Sequence, residues 1–418
     1  MRSRSFKNVG SSSGFSLAVA LLLTATLLLR CAPFSFASNQ PAGTSALFAE
    51  TRRDWSVAVV ESTMKRFPTA DSLKGWGYQK SLYLYGVYLV YLRTHEKRYL
   101  DYIRSWVDLH VDDKGAINRP INAEVFVLPA NLLLILYQET KQEKYKLAAD
   151  NVRKAFDTWP RTKDGAFWYN QERPWQLWAD GVFMAFPFLI RYAELFGDRK
   201  NADDEVTKQM LIYYSHLNDP ATGLLWHAYD ESGAQPWANP VTHQSGFHWG
   251  RAIGWYGMAL IELLEILPKN HPHRNDLIEI VQQLAKAYEK YQDPMTGLWY
   301  QVVDKGDVEG NWLETSSSCM YSYTIWVGVK RGYLTKRYEA VAQRGYRGVL
   351  TKLSIDVGGL TNLSDVSEST TVGDLGSYFA RKRNVNDFQG LGAFLIMNEE
   401  LGAASLGYKP KPISWDLN

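Results

Sequence analysis

After residue 46 the chain alternates between two kinds of segment with helical periodicity. The first kind places apolar residues three and four positions apart; in 275–291 these are Leu277, Val281, Leu284, Tyr288 and Tyr291, with charged side chains between them. This spacing predicts an amphipathic helix that buries one face. Six segments share the pattern: 47–66, 97–111, 142–158, 202–217, 275–291 and 337–352.

The second kind of segment is apolar on nearly every side. The stretch 82–92 contains no charged residue, and five others resemble it: 126–137, 182–190, 255–261, 320–329 and 391–397. A helix without a polar face has to be covered all round. Six such helices alternating with six amphipathic ones predict an all-α fold, an (α/α)6 toroid with an apolar inner ring. Because successive helices run antiparallel, the loops that enter the inner helices are expected to meet at one end.

We expect the barrel to span residues 47–405, with a short C-terminal tail at 406–418. Residues 1–37 have the pattern of a secretory signal: a basic start, an apolar run at 15–29 and a small-x-small cleavage site at 35–37. The apolar run is too short for a comfortable transmembrane helix. With 38–46 as a short linker, the pattern predicts a secreted or periplasmic protein without stable membrane insertion after cleavage.

Composition narrows the function classes only in part. Cleavage after residue 37 leaves 42 basic and 44 acidic residues, a balance that does not indicate a nucleic-acid partner. It also removes Cys31 and leaves Cys319 alone, so no intramolecular disulfide is available. Aromatic residues form 14% of the chain, which is typical of sugar-binding clefts and equally of a large helical core. The oligomeric state is left open.

The motif Trp178-Ala179-Asp180-Gly181 opens the third apolar segment. Aspartate favours the N-cap of a helix, so Asp180 has a structural interpretation. A second interpretation is that Asp180 acts as a general acid or base held in an apolar wall. A helix N-terminus favours the carboxylate, whereas burial against Trp178 favours the neutral acid. A catalytic acid near neutral pH requires burial to dominate.

A second polar and aromatic cluster, 242–255, leads into the fourth apolar segment. It contains His243, Trp249, Arg251 and Trp255, which we treat as substrate-binding candidates. Arg251 is suited to fork onto a substrate carboxylate, and the alternative is a buried ion pair or a tie between loops. His243 and His248 lack a third ligand at a recognisable spacing, so we predict no metal site, and nothing indicates a cofactor.

Two further positions are candidates for sugar contact. Trp76 and Tyr78 open the first inner helix and present rings on which a sugar could stack. His227 follows an Asp-Pro-x-Thr-Gly turn, and a lone histidine at such a place is more often structural.

Together these clusters resemble the unsaturated rhamnogalacturonyl hydrolases, glycoside hydrolase family 105, which are related to the unsaturated glucuronyl hydrolases of family 88. The resemblance covers about residues 50–402. The matching stretches are 76–78, 178–188, 227–230, 249–255, 313–316 and 390–394. The ordered pair Trp-x-Asp-Gly and Trp-x-Arg-x-x-Gly-Trp is the specific part.

The resemblance implies an (α/α)6 barrel and Asp180 as the catalytic residue. It places Trp178, His227, Trp249 and Arg251 around the unsaturated sugar. The implied substrate is a short oligosaccharide whose terminal uronyl residue carries a C4=C5 double bond left by a polysaccharide lyase. Asp180 would protonate C4 and then activate the water that adds at C5. One residue serves as acid and then as base, so two carboxylates at a glycosidase separation are not required.

One position departs from the family pattern. A second aspartate commonly precedes the second inner helix, and Val125 stands at that position here. The neighbouring Glu124 is the available second acid, although on a helix it would point elsewhere; Asn122 is another substitute. Two other functions stay open: a conventional inverting glycosidase that uses Glu124 across the cleft from Asp180, and a sugar-binding protein without catalysis.

Overall fold

The computed structural model describes residues 53–410, so the predicted signal segment, the linker and most of the predicted tail lie outside the described residues. Within this range, twelve helices of eleven or more residues alternate in two sets. The outer set is α1 (Trp55–Arg66), α3 (Lys97–Asp108), α5 (Glu143–Ala155), α7 (Arg199–Leu217), α9 (Arg274–Tyr291) and α11 (Glu339–Leu350). The inner set is α2 (Tyr78–Thr94), α4 (Ala130–Thr140), α6 (Gly181–Phe196), α8 (Gly250–Ile266), α10 (Thr315–Lys330) and α13 (Phe388–Leu401).

The inner helices form a closed ring in chain order, because the last, α13, packs against the first, α2. Two glycines permit this contact. A Cβ at Gly86 would lie 2.7 Å from the Cβ of Leu395, and one at Gly392 would lie 2.6 Å from the Cγ of Leu82. The predicted alternation of six outer and six inner helices is therefore confirmed, and each inner helix is buried along most of its length.

The second inner helix begins later than the apolar pattern predicted. The stretch Glu124–Phe126 is a short 3-10 helix, and α4 starts only after Pro129, at its N-cap. Proline fits the start of a helix because it has no N–H to donate. The delay leaves Glu124 and Val125 on a connecting segment at the end of the barrel where the inner helices begin.

Within residues 53–410 the strands form four two-stranded antiparallel ribbons at the entry loops. They are β1 (Gln176–Trp178) with β2 (Ala228–Asp230), β3 (Trp299–Tyr300) with β4 (Leu313–Glu314), β5 (Leu353–Ile355) with β6 (Thr361–Leu363), and β7 (Val366–Ser367) with β8 (Arg383–Asn384). The last two ribbons and the short helix α12 (Leu375–Phe379) build the long connection before α13. No helix among the described residues combines the length and apolarity that crossing a bilayer requires.

Candidate active site

The β1–β2 ribbon brings Asp180 and His227 together. Trp178 pairs with Ala228, and the N–H of Ala179 donates to the carbonyl of His227 at 2.9 Å. Asp180 follows β1 and stands at the N-cap of α6, while His227 directly precedes β2. The ribbon register therefore sets two side chains, 47 positions apart in sequence, beside each other at the mouth of the barrel.

The carboxyl group of Asp180 does not cap its helix, although the residue occupies the cap position. Its Oδ2 accepts a hydrogen bond from the Tyr169 hydroxyl at 3.1 Å, and its Oδ1 is buried without a hydrogen-bond partner. The rings of Tyr169 and Trp178 stack 4.6 Å apart and form an aromatic wall beside it. A buried carboxyl oxygen without a donor is costly when ionised, so this environment favours the neutral acid.

Burial raises the pKa of Asp180 to about 6. Its own backbone N–H, the Tyr169 hydroxyl and the charges of Arg251 and Arg173 oppose that rise. Burial therefore dominates over the groups that favour the carboxylate. The result is an acid that is substantially protonated in mildly acidic solution and still able to ionise, which suits a group that gives up a proton and takes one back.

His227 is fully buried and neutral. Burial, followed by the charge of Arg251, lowers its pKa to about 3. Its Nε2 lies 3.9 Å from Oδ1 of Asp180, and this is not an ion pair because the imidazole is uncharged. Its Nδ1 lies 2.6 Å from the hydroxyl of Tyr378, a residue of α12. The long loop before α13 thus orients the imidazole that faces Asp180.

Arg251 is buried at the start of α8 and holds the long loop to the barrel. Its Nη1 donates to the carbonyl of Ser367 at 2.5 Å, and its Nη2 donates to the carbonyl of Glu368 at 2.7 Å. Glu314 lies 3.9 Å away and accepts from the N–H of Ser367. The sequence left open whether Arg251 binds a substrate carboxylate or holds protein segments together. In this structure it holds the loop, since both terminal nitrogens of its guanidinium donate to protein carbonyls.

Trp249 connects this arginine to the site. Its ring centroid lies 4.8 Å from the guanidinium carbon of Arg251 and 4.6 Å from the His227 ring. Trp178 meets the same imidazole edge to face at 5.2 Å. The structure therefore brings together five of the predicted site residues: Trp178, Asp180, His227, Trp249 and Arg251.

Glu124 lies behind Asp180, inside the barrel wall. It is fully buried, and its Oε2 occupies the space where Gly181 would carry a Cβ. Tyr213 donates weakly to it, at 3.4 Å. Burial, with repulsion from Asp180, raises its pKa well above the usual range, which favours the neutral form of Glu124. Val125, by contrast, packs against the Tyr169–Trp178 wall and is only partly buried.

The remaining predicted residues stand further from the carboxyl group. Trp76 and Trp255 are buried in the core, where Trp76 stacks on Trp106 and Trp255 packs on Phe183. His243 packs on Gly233 and contacts the carbonyl of Glu231 in a surface loop. These positions leave little ring surface for a sugar. The sequence grouped them with the site because Trp76 opens an inner helix and because His243 and Trp255 belong to the cluster 242–255.

Tyr78 is half-buried at the mouth of α2. Its hydroxyl lies 3.0 Å from both the Ser369 hydroxyl and Oε1 of Gln389. Burial raises the pKa of Tyr78, while the nearby charge of Arg251 opposes that rise and the charge of Asp180 adds to it. Sequence analysis missed two residues that contact the central pair, Tyr169 and Tyr378. The described residues contain no group of three His, Cys, Asp or Glu side chains arranged to hold a metal ion.

A model of Glycosyl Hydrolase Family 88 matches residues 55–403. The chain belongs to this family. It is also 36% identical to a family 105 glycoside hydrolase of Clostridium acetobutylicum ATCC 824; the structural match has a TM-score of 0.80 and covers 83% of this chain and 99% of that one. The match confirms the predicted kinship with families 88 and 105, and the protein is a glycosyl hydrolase.

The chain is also similar to an unsaturated rhamnogalacturonyl hydrolase and to an unsaturated glucuronyl hydrolase. The unsaturated rhamnogalacturonyl hydrolase YesR of Bacillus subtilis is 27% identical over 75% of this chain and 85% of its own length. The unsaturated glucuronyl hydrolase of Bacillus sp. GL1 shares the fold with a TM-score of 0.59, at 14% identity, over 83% of this chain and 95% of that one. This structural match, together with that of the family 105 hydrolase, confirms the predicted six-hairpin toroid for this chain.

Proposed function

We propose that the protein removes a 4,5-unsaturated uronyl residue from the non-reducing end of short oligosaccharides produced by polysaccharide lyases. Fragments of rhamnogalacturonan are the favoured substrates, and two observations support this choice. The relative with 85% of its length covered is an unsaturated rhamnogalacturonyl hydrolase. The solved structure with 99% of its length covered and 36% identity belongs to family 105.

The state of Asp180 is the single observation that carries the proposed chemistry. Burial raises its pKa to about 6, and one carboxyl oxygen has no donor in the protein. In the first step the neutral acid gives its proton to C4 of the double bond, and positive charge develops at C5 and the ring oxygen. In the second step the carboxylate accepts a proton from a water molecule as the water oxygen bonds to C5.

The rest of the reaction needs no second protein acid. The product of hydration is a hemiketal at C5. It opens by breaking the bond between C5 and the ring oxygen, which leaves a hemiacetal at C1. That hemiacetal releases the aglycone as an alcohol. The neutral His227, 3.9 Å from Asp180, borders the same space without competing for its proton, because its own pKa is about 3.

The position of Glu124 argues against a conventional inverting glycosidase. Such an enzyme separates its two carboxyl groups by about 6.5–9.5 Å across the cleft, with a water beside the base. Glu124 is instead fully buried on the same side as Asp180, against Gly181, and burial raises its pKa well above the usual range. A general base has to reach solvent and to be ionised, and this environment opposes both.

The test follows the ultraviolet absorbance of the conjugated C4=C5 bond. Wild type and the Asp180→Asn variant are incubated with an unsaturated rhamnogalacturonan disaccharide and with an unsaturated glucuronide. We expect wild type to remove the absorbance and the variant to be slower by at least about 10²- to 10⁴-fold. The faster substrate names the subclass. Absorbance that wild type leaves unchanged on both substrates would contradict the proposal.

A further inference from the structure

A cleft beside Trp178 contains a cation to which sequence analysis assigned no role. The cleft continues outward from the aromatic wall and is lined by Arg173, Gln176, Trp178, Gln235, Trp237 and Thr371, among others. Arg173 is exposed, and its guanidinium carbon lies 5.0 Å from the centroid of the Trp178 ring. The cation is thus placed against a side chain of the active-site wall.

The guanidinium of Arg173 is available to a ligand. Among residues 53–410 it forms no ion pair with a carboxylate, whereas the guanidinium of Arg251 is committed to two loop carbonyls. Its charge also reaches the reacting group, because Arg173 is among the groups that lower the pKa of Asp180. Any substrate of the proposed reaction is an anion, since its unsaturated ring carries a carboxylate.

The local backbone supports a defined position for this side chain. The N–H of Arg173 donates to the carbonyl of Asn170 at 2.9 Å, which closes a tight turn. Two residues later Trp175 has φ 68°, a left-handed conformation that is unusual for a bulky side chain. Its ring packs on Trp168 at 4.7 Å, and the chain then enters β1. The turn and the packing of Trp175 on Trp168 therefore fix the segment from which the Arg173 side chain reaches over Trp178.

We propose that Arg173 is a substrate-binding residue that pairs with an anionic group of the oligosaccharide, a carboxylate or a sulfate. The inference rests on the proposed function, because it takes the unsaturated oligosaccharide as the ligand. The anionic group belongs either to C5 of the unsaturated ring or to the next sugar, which would lie along the cleft toward Trp237. A planar guanidinium held over an aromatic ring is well suited to fork onto either group.

The test measures binding without turnover, in the Asp180→Asn background. The probes are an unsaturated disaccharide with a neutral second sugar and one whose second sugar carries a sulfate, and affinity is measured by calorimetry. Arg173→Gln removes the charge, and Arg173→Lys retains it without the fork. Arg53→Gln is the matched control, because Arg53 is also exposed and lies 5.0 Å from a ring, that of Trp55, at the opposite end of the barrel.

We expect Arg173→Gln to weaken binding by about 10- to 100-fold, the range for one charge-assisted hydrogen-bonded contact. Arg173→Lys should restore part of the loss, and added salt should weaken binding less in Arg173→Gln than in its parent. Equal weakening for both sugars assigns the contact to the C5 carboxylate. Weakening confined to the sulfated sugar assigns it to the second residue.

Affinities that match those of Arg53→Gln for both sugars would overturn the proposal, as would a failure of the Asp180→Asn parent to bind either one. The proposed reaction is judged separately, by the absorbance assay on wild type. A protein that binds through Arg173 but leaves the double bond intact would keep the binding site and lose the reaction. If the Arg173→Gln variant of the otherwise wild-type protein removes the absorbance as well as wild type does, the proposed reaction stands and the role of Arg173 in binding falls.

Discussion

Asp180 and Glu314 occupy the same kind of position and have opposite surroundings. Each is a buried acid at the N-cap of an inner helix, Asp180 at α6 and Glu314 at α10. Glu314 caps its helix by accepting from the N–H of Ser317 at 2.6 Å, and it also accepts from Ser316 and from the N–H of Ser367. Asp180 caps nothing, and one of its oxygens has no donor.

The two buried acids differ in the hydrogen-bond donors around them. Glu314 is surrounded by donors and lies 3.9 Å from Arg251, so its carboxylate is satisfied and serves to hold the loop. Asp180 accepts one hydroxyl from the protein, and burial holds its pKa at about 6. Asp180 is therefore distinguished from Glu314 by the donors that it lacks.

The strongest test of this contrast measures stability. Glu314→Ala should reduce the free energy of unfolding by about 3–5 kcal/mol, because it leaves Arg251 buried without its acid and removes a helix cap. Asp180→Asn should leave stability unchanged or slightly higher, since it removes an acid whose ionisation is penalised by burial. Denaturant unfolding near pH 7 measures both variants. Equal destabilisation by the two substitutions would refute the contrast.

A second test sharpens the role of Tyr169. Its hydroxyl donates to Asp180 and so lowers the pKa of that carboxyl group. Tyr169→Phe removes the donor, so the pKa of Asp180 should rise and the acid should stay protonated to higher pH. From the Asp180 pKa of about 6, we expect kcat/KM of wild type to decline above about pH 6. In Tyr169→Phe we expect kcat/KM to fall by about 10-fold and that decline to move to higher pH. A pH profile that keeps its position would limit Tyr169 to packing.

The smallest effect is expected at Glu124. The pKa of Glu124 in the folded protein lies above its ordinary value. The protein is therefore most stable when Glu124 is protonated, below that ordinary value, and it loses this part of its unfolding free energy as pH rises through the folded-state pKa. Glu124→Gln keeps the shape and removes the titration. The variant should match wild type near pH 4 and exceed its unfolding free energy by on the order of 1 kcal/mol near pH 8. Urea melts at the two pH values supply the measurement, and a constant difference between them would contradict it.

Much of the fold was predictable from the sequence, because an inner helix has no polar face and an outer helix has one. That difference is local and visible in segments such as 82–92 and 275–291. The start of α4 was not predictable to the residue. The apolar run continues through Phe126 and Val127, and only Pro129 marks where the α-helix begins.

The site was predictable only where it coincides with a helix entry. Asp180 and Arg251 stand at such entries, so the sequence indicated them. Tyr169 was missed because it lies in a loop, and Tyr378 was missed because it lies on the short helix α12 inside the long connection before α13. Their contacts depend on ribbon pairing and on loop docking far along the chain. Trp255 was assigned to the site because it belongs to the polar and aromatic cluster 242–255, but it lies in the barrel core and packs on Phe183.

The closure of the inner ring has a consequence for biosynthesis. The first inner helix, α2, is covered by α13, whose residues are made some 300 positions later. Until residues 388–401 have been synthesised, the face of α2 that contains Leu82 and Gly86 has no native partner. Exposed apolar surface on a partly made chain promotes aggregation. A truncated chain that stops before α13 should therefore accumulate in the insoluble fraction, with Asp180 already made and its barrel still open.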